Sequence, residues 1–144
     1  MAAETLSAEP WRDRLAPSLE DFARLAREAF DALPQEFRQA AGEVVIRIDD
    51  FADEETLAGF EMDDPFELTG LYSGVDLTRR EGFGPEPEPS RVFLYRQPIL
   101  AEWCERGDIA LDELITHVLV HEIGHHLGLS DEAMHAIEDA DEDD

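Results

Sequence analysis

The chain has 144 residues, of which 43% are hydrophobic, enough for one domain with a modest core. Its net charge at pH 7 is −25, and all of its eleven basic residues are arginines. A field of this sign repels phosphate backbones and anionic lipid headgroups, so we expect neither a nucleic-acid nor a membrane partner. A neutral or basic partner is expected instead.

The single cysteine, Cys104, excludes an internal disulfide, and we expect it to pack in the core of a protein kept in a reducing compartment. The first ten residues lack the basic and apolar regions of a signal peptide. No apolar run approaches the roughly 20 residues that a membrane-spanning helix needs. These features together predict a cytoplasmic protein.

The N-terminal part of the chain predicts a helix, a strand and then a loop or a short second helix. Ser18 followed by Asp21 is a capping-box pattern that opens the first helix, and residues 1–17 before it are expected to form a flexible extension. Alternating apolar residues predict the first strand at 44–49. The acidic stretch that follows predicts a loop or a short helix at 53–60.

The middle of the chain predicts two further strands and two helices. The strands are expected at Gly70–Leu77 and Arg91–Arg96, separated by a mobile loop at 81–90 that is rich in proline and glycine. A helix with proline in its first turn follows at 98–105. The next helix, at about 109–127 and capped by a Gly-Asp pair, carries apolar residues on so many sides that it must be buried on most of them.

The most informative stretch of that helix is His121-Glu122-Ile123-Gly124-His125. Residues four apart on a helix lie one above the other, so both imidazoles can offer a nitrogen to one metal ion, at about 2.0–2.1 Å for zinc. Glu122 lies about 100° round the helix, where it can accept a proton from a water without occupying a ligand position. The spacing therefore predicts one zinc ion per chain and favours hydrolysis.

The third metal ligand is expected just after this helix. Gly128 suits the left-handed turn that commonly ends a helix, and such a turn would bring Asp131 back towards the metal. A carboxylate oxygen is a workable zinc ligand, and two imidazoles with one carboxylate leave a position open for water. His135 and Glu138, in a last helix predicted at 131–139, remain alternatives for the third ligand.

Other polar side chains are candidates for contacts with a substrate or for support of the metal ligands. His117 lies on the same stripe as the two motif histidines, but three residues at i, i+4 and i+8 span about 12 Å and cannot share one ion. His126 points about 100° away from the preceding histidine. Tyr95 and Tyr72 are the only tyrosines, and either could support an oxyanion.

The segment Ile115–Met134 contains the pattern H-E-x-x-H-x-x-G-x-x-D and resembles the small bacterial zincin-like metallopeptidase family. Shorter stretches that also resemble this family lie at 33–37, 44–50, 70–74 and 94–99. The resemblance covers about residues 18–139, which we take as the domain, and leaves 140–144 as an acidic, disordered tail.

The resemblance implies an α+β protein with a minimal zincin-like fold, in which a small mixed β-sheet packs on a buried active-site helix with N- and C-terminal helices. It implies His121, His125 and Asp131 as metal ligands, Glu122 as general base, and a zinc-dependent hydrolase that acts on a peptide or protein substrate. It also leads us to expect Arg91–Arg96 as the edge strand along which a substrate would lie.

Two other functions remain open. In a non-catalytic, metal-dependent protein-binding module the metal would be structural, and a structural site has no need of the base Glu122. A metal-dependent ribonuclease can use a related three-ligand helix motif, but the known pattern of that kind lacks this glutamate. The net charge of −25 also disfavours RNA as a substrate.

Overall fold

The computed structural model describes residues 11–73 and 90–142, with side chains up to residue 139. Within these ranges the chain forms one three-stranded sheet with strands β1 (Val44–Asp49), β2 (Gly70–Ser73) and β3 (Ser90–Tyr95). The helices are α1 (Leu19–Ala32), α2 (Gln35–Ala41), α3 (Glu54–Gly59), α4 (Arg96–Arg106), α5 (Leu111–His126) and α6 (Asp131–Glu142). None of these described helices has the length and apolar composition needed to cross a membrane.

Several expectations fall wholly or partly outside the described residues. They are the flexible extension up to residue 10, the second half of the predicted second strand, the mobile loop up to residue 89 and the end of the acidic tail. Residues 11–17 are described and mostly exposed. The carbonyl of Pro17 accepts a hydrogen bond of 2.9 Å from Nη1 of Arg96, so this end of the extension contacts the domain.

Helix α1 begins at the predicted capping box. The Ser18 hydroxyl accepts a hydrogen bond of 3.0 Å from the Asp21 backbone N–H, and the Asp21 carboxylate accepts one of 2.9 Å from the Ser18 N–H. These bonds satisfy backbone donors that the first turn leaves without a partner. They also lower the pKa of Asp21. The buried face of α1 carries Phe22, Ala26 and Phe30.

The sheet has the strand order β1-β3-β2, with β1 parallel and β2 antiparallel to β3. The predicted α+β fold with a small mixed sheet is confirmed. The expectation that Arg91–Arg96 is the substrate's edge strand is wrong, because β3 is paired on both sides. Among the described strands, the edge next to α5 is β2, where Gly70 lies opposite Leu94.

Helix α5 lies in the main core, as its apolar composition predicted. Leu114, Ile115, Leu119 and Ile123 of α5 are fully buried. They belong to one cluster with residues of α1 and with those side chains of β3 that face α5. The other face of the sheet carries a smaller cluster formed by Ala52, Leu57, Leu68 and Tyr95.

Two local expectations are corrected. Helix α5 begins at Leu111 rather than at about 109, because Gly107, with φ of 72°, adopts the left-handed conformation that ends α4. Cys104 is exposed rather than packed in the core, because α4 buries a different side, through Pro98 and Ile99.

Candidate active site

The turn between α5 and α6 returns the chain to the motif. Gly128 has φ of 78°, the left-handed conformation expected of it, and the Leu129 N–H donates to the Gly124 carbonyl at 2.9 Å. The Ser130 hydroxyl then accepts a backbone N–H from the first turn of α6 at 3.1 Å. Asp131, the first residue of α6, is thereby held beside the C-terminal end of α5.

Gly124, inside the motif, lets α6 lie close against α5. A Cβ atom at this position would lie 2.4 Å from Sδ and 2.8 Å from Cγ of Met134, closer than real Cβ atoms approach other atoms. Met134 is fully buried. The absence of a side chain at this motif position therefore sets the distance between the two helices.

The structure brings together the three residues proposed from the sequence as metal ligands. His121, His125 and Asp131 each offer one ligand atom, and these atoms lie within 4.8 Å of one another; we call them the outer set. Two imidazoles and one carboxylate form a donor set that zinc commonly takes. The Nε2 atom of His121 is buried and has no hydrogen-bond partner, an unsatisfied state that a metal ion would relieve. The residues present therefore fit zinc.

Neither of the two alternative third ligands, His135 and Glu138, belongs to the outer set. The carboxylate of Glu138 has Oε2 at 3.7 Å from Nε2 of His121 and Oε1 at 3.0 Å from Nδ1 of His117. His117, His121 and Glu138 thus form a second group of potential ligands, which we call the inner set. His135 is exposed, its ring centre is 6.1 Å from that of His121, and it belongs to neither group found among the described residues.

The environment of His121 favours a neutral imidazole. Burial lowers the pKa of His121, and the charges of His117 and His125 lower it further, whereas the carboxylates of Glu138 and Asp131 act in the opposite direction. A neutral ring nitrogen is the form that binds a metal ion.

Glu122 is half-buried between α5 and β2. A Cβ atom on Gly70 would lie 2.7 Å from Cγ1 of Val118 and 3.2 Å from Cγ of Glu122, so glycine is what allows the strand to come this close. Burial raises the pKa of Glu122, while the charge of His125 and a hydrogen bond from the Tyr72 backbone N–H lower it. A carboxylate whose pKa is raised by burial is suited to accept a proton.

The remaining candidates are divided between the two faces of the sheet. Tyr72 lies on the face towards α5, and its ring stacks on His126 with centres 3.9 Å apart and an angle of 20° between the planes. Tyr95 lies on the other face, in the smaller cluster. Burial, together with nearby acidic charges, raises the pKa of Tyr95 to about 12. The structure does not bring Tyr95 to the metal-ligand residues.

Two features of the site were not predicted from the sequence. Gly70 begins a strand, and a glycine in a strand often marks the close approach of another element, so a signal for its role was present. The pairing of His117 with Glu138 joins residues 21 positions apart on different helices, and no periodic pattern in a sequence can indicate such a contact.

The sequence was also compared with known families. Residues 41–140 match the family model described as zincin-like metallopeptidase. This span includes the sheet, α5 and the residues of both the outer and the inner set. No curated protein matches the chain.

Proposed function

Because the chain belongs to the zincin-like metallopeptidase family, we propose that it is a zinc-dependent hydrolase of peptide or amide bonds. His121, His125 and Asp131 are the proposed metal ligands, and Glu122 is the proposed general base. Family membership indicates zinc and peptidase-like chemistry. The observation that carries the residue roles is a half-buried carboxylate next to a convergent set of two imidazoles and one carboxylate.

Zinc, when bound, supplies an acidic water and a Lewis acid that polarises the scissile carbonyl. Glu122 accepts a proton from the attacking water on its carboxylate and passes that proton to the leaving nitrogen. The hydrogen bond from the Tyr72 backbone holds the carboxylate, and burial keeps its basicity above that of an exposed glutamate. Tyr72 and His126, stacked on the same side of the sheet, are the proposed contacts for the substrate.

The first prediction tests Glu122 as the base. Glu122→Gln keeps the shape of the side chain and all three ligands of the outer set but removes the proton acceptor. Hydrolysis should fall by a factor on the order of 10² to 10⁴, the usual contribution of general acid–base catalysis, while zinc content and melting temperature stay near wild type. A peptide-library assay, elemental analysis and thermal denaturation of the same samples measure these three quantities.

The matched control is Glu113→Gln, which makes the same change of charge at an exposed position of α5. Its turnover should equal that of the wild type. Equal turnover by Glu122→Gln would show that another group is the base. Zinc-dependent peptide binding with no turnover by the wild type would assign the chain to the binding modules, and turnover of RNA alone would assign it to the ribonucleases.

The second prediction concerns the substrate, which we propose to be a neutral or basic peptide. The support is the net charge of −25, which attracts cations over distances of about one Debye length. Of two peptides that differ only in arginine or glutamate beside the scissile bond, the arginine peptide should have the higher kcat/KM. The advantage should shrink as salt rises from 50 mM to 500 mM, about a threefold decrease in Debye length. A preference for the glutamate peptide would contradict the proposal.

A further inference from the structure

The inner set is more enclosed than the outer set. The side chains of His117, His121 and Glu138 are 31%, 22% and 16% exposed, whereas His125 and Asp131 of the outer set are exposed residues. His117 lies one turn before His121 on α5, and Glu138 reaches both from α6. The set is therefore held by two packed helices.

Two atoms of the inner set lack a partner. Nε2 of His121 and Oε2 of Glu138 are both buried without a hydrogen bond, although they face each other at 3.7 Å. This distance exceeds the roughly 3.2 Å limit of an N–H···O hydrogen bond. Two ligand atoms bound to one tetrahedral zinc at about 2.0–2.1 Å lie about 3.3–3.4 Å apart, so a small adjustment would place an ion between them.

The third member is also close enough to bind the same ion. Nδ1 of His117 lies 3.0 Å from Oε1 of Glu138, and one potential ligand atom from each residue of the set lies within 4.8 Å of the others. A hydrogen bond between His117 and Glu138 accounts for the 3.0 Å contact between these two residues only. It leaves the second carboxylate oxygen and the His121 nitrogen unsatisfied, and a metal ion would satisfy both.

We propose that His117, His121 and Glu138 form a second binding set for zinc or a similar divalent cation, and that it competes with the outer set for His121. The sets share one imidazole, and an ion held by His121 in the inner set leaves the outer set with one histidine and one carboxylate. The centres of the two histidine pairs are about 6 Å apart along the helix, four residues at 1.5 Å each. The chain thus offers one metal ion two alternative positions. This proposal rests on the proposed function in one respect only: the ligands that compete for the ion, His125 and Asp131, are the ones assigned there.

The test uses zinc binding rather than hydrolysis. Metal-free full-length protein labelled with ¹⁵N-histidine is titrated with Zn²⁺ by calorimetry and by NMR of the ring nitrogens. His125→Ala combined with Asp131→Ala leaves the outer set with His121 alone. This double variant should still bind one zinc, and the ring signals of His117 and His121 should shift. Adding Glu138→Gln to it should abolish stoichiometric binding.

The reciprocal variant, His117→Ala with Glu138→Gln, should bind one zinc through the outer set, and His121→Ala should lose both positions. His135→Ala is the matched control, because it removes an exposed histidine of α6 that belongs to neither set. It should bind zinc like the wild type, with one ion per chain.

A folded His125→Ala/Asp131→Ala variant that binds no zinc would overturn the inner set, and two zinc ions in the wild type would overturn the competition. Circular dichroism and the melting temperature establish folding. If the double variant does not fold, His125→Ala alone takes its place, since it leaves the outer set with two ligands: a ring signal of His117 that does not shift at saturating zinc overturns the proposal. These titrations test the inner set alone. The proposed function is tested separately, by the hydrolysis rates of wild type and Glu122→Gln.

Discussion

The two flanks of α5 contribute different parts of the candidate site. On one flank, β2 approaches closely enough at Gly70 to enclose Glu122. On the other flank, α6 packs against Gly124 and supplies the carboxylates of Asp131 and Glu138. The strand flank thus sets the environment of the proposed base, and the helix flank supplies one carboxylate to each of the two proposed sets of metal ligands. Because the two contacts involve different atoms, damage to one flank should leave the function of the other in place.

The largest effect is expected on the helix flank. In Gly124→Ala the new Cβ would lie 2.4 Å from Sδ of Met134, so α6 must move or Met134 must change its conformation. Overpacking of this kind costs about 1–3 kcal/mol in the free energy of unfolding. Zinc affinity should fall as well, since the two carboxylates move with α6. Urea denaturation and calorimetry measure the two losses.

Gly59→Ala is the control for this change, because nothing lies within 4 Å of its Cβ and its backbone is not left-handed. Its free energy of unfolding should stay within about 0.5 kcal/mol of wild type. Unchanged stability and zinc affinity in Gly124→Ala would show that the contact with Met134 does not set the helix distance.

A smaller effect is expected on the strand flank. In Gly70→Ala the new Cβ would lie 2.7 Å from Cγ1 of Val118 and 3.2 Å from Cγ of Glu122. The edge strand should be displaced at a cost of about 1–2 kcal/mol, within the range for overpacking. Hydrolysis should fall while zinc affinity stays near wild type. A parallel loss of zinc would show that the two flanks are not separable.

The smallest effect on the site is expected from a change remote from both flanks. Ser18→Ala removes the hydroxyl that caps α1 and should cost about 1 kcal/mol of stability. Zinc affinity and kcat/KM, measured well below the melting temperature, should both match the wild type. A loss of either would mean that lower stability alone, rather than displacement of a particular flank, accounts for the glycine variants.

The features that the sequence predicted well depend on a few neighbouring residues. The capping box at Ser18 and the left-handed Gly128 each involve contacts within one helical turn. The spacing of His121 and His125 likewise fixes them on one side of α5 by helix geometry alone. Local geometry was sufficient for these predictions.

The features that it did not predict depend on packing between distant elements. An alternating strand reads the same at the edge and in the middle of a sheet, so the pattern at 91–96 could not show that β3 is central. The Gly107-Asp108 pair can end one helix or open the next, and the structure uses Gly107 to end α4. The meeting of His117 with Glu138 depends on how α6 packs against α5, where Met134 lies close to Gly124.

Arg96, at the junction of β3 and α4, has a consequence for the order in which the chain folds. Its guanidinium bonds to the Asp50 carboxylate at 2.7 Å and to the Pro17 carbonyl at 2.9 Å, contacts that span 46 and 79 residues of sequence. Strand β1 likewise pairs in parallel with a strand that follows it by more than forty residues. Such non-local contacts slow folding, because a long loop must close before they form. On the ribosome, β1 leaves the exit tunnel before β3 does, so a chaperone should bind the nascent chain most strongly during that interval.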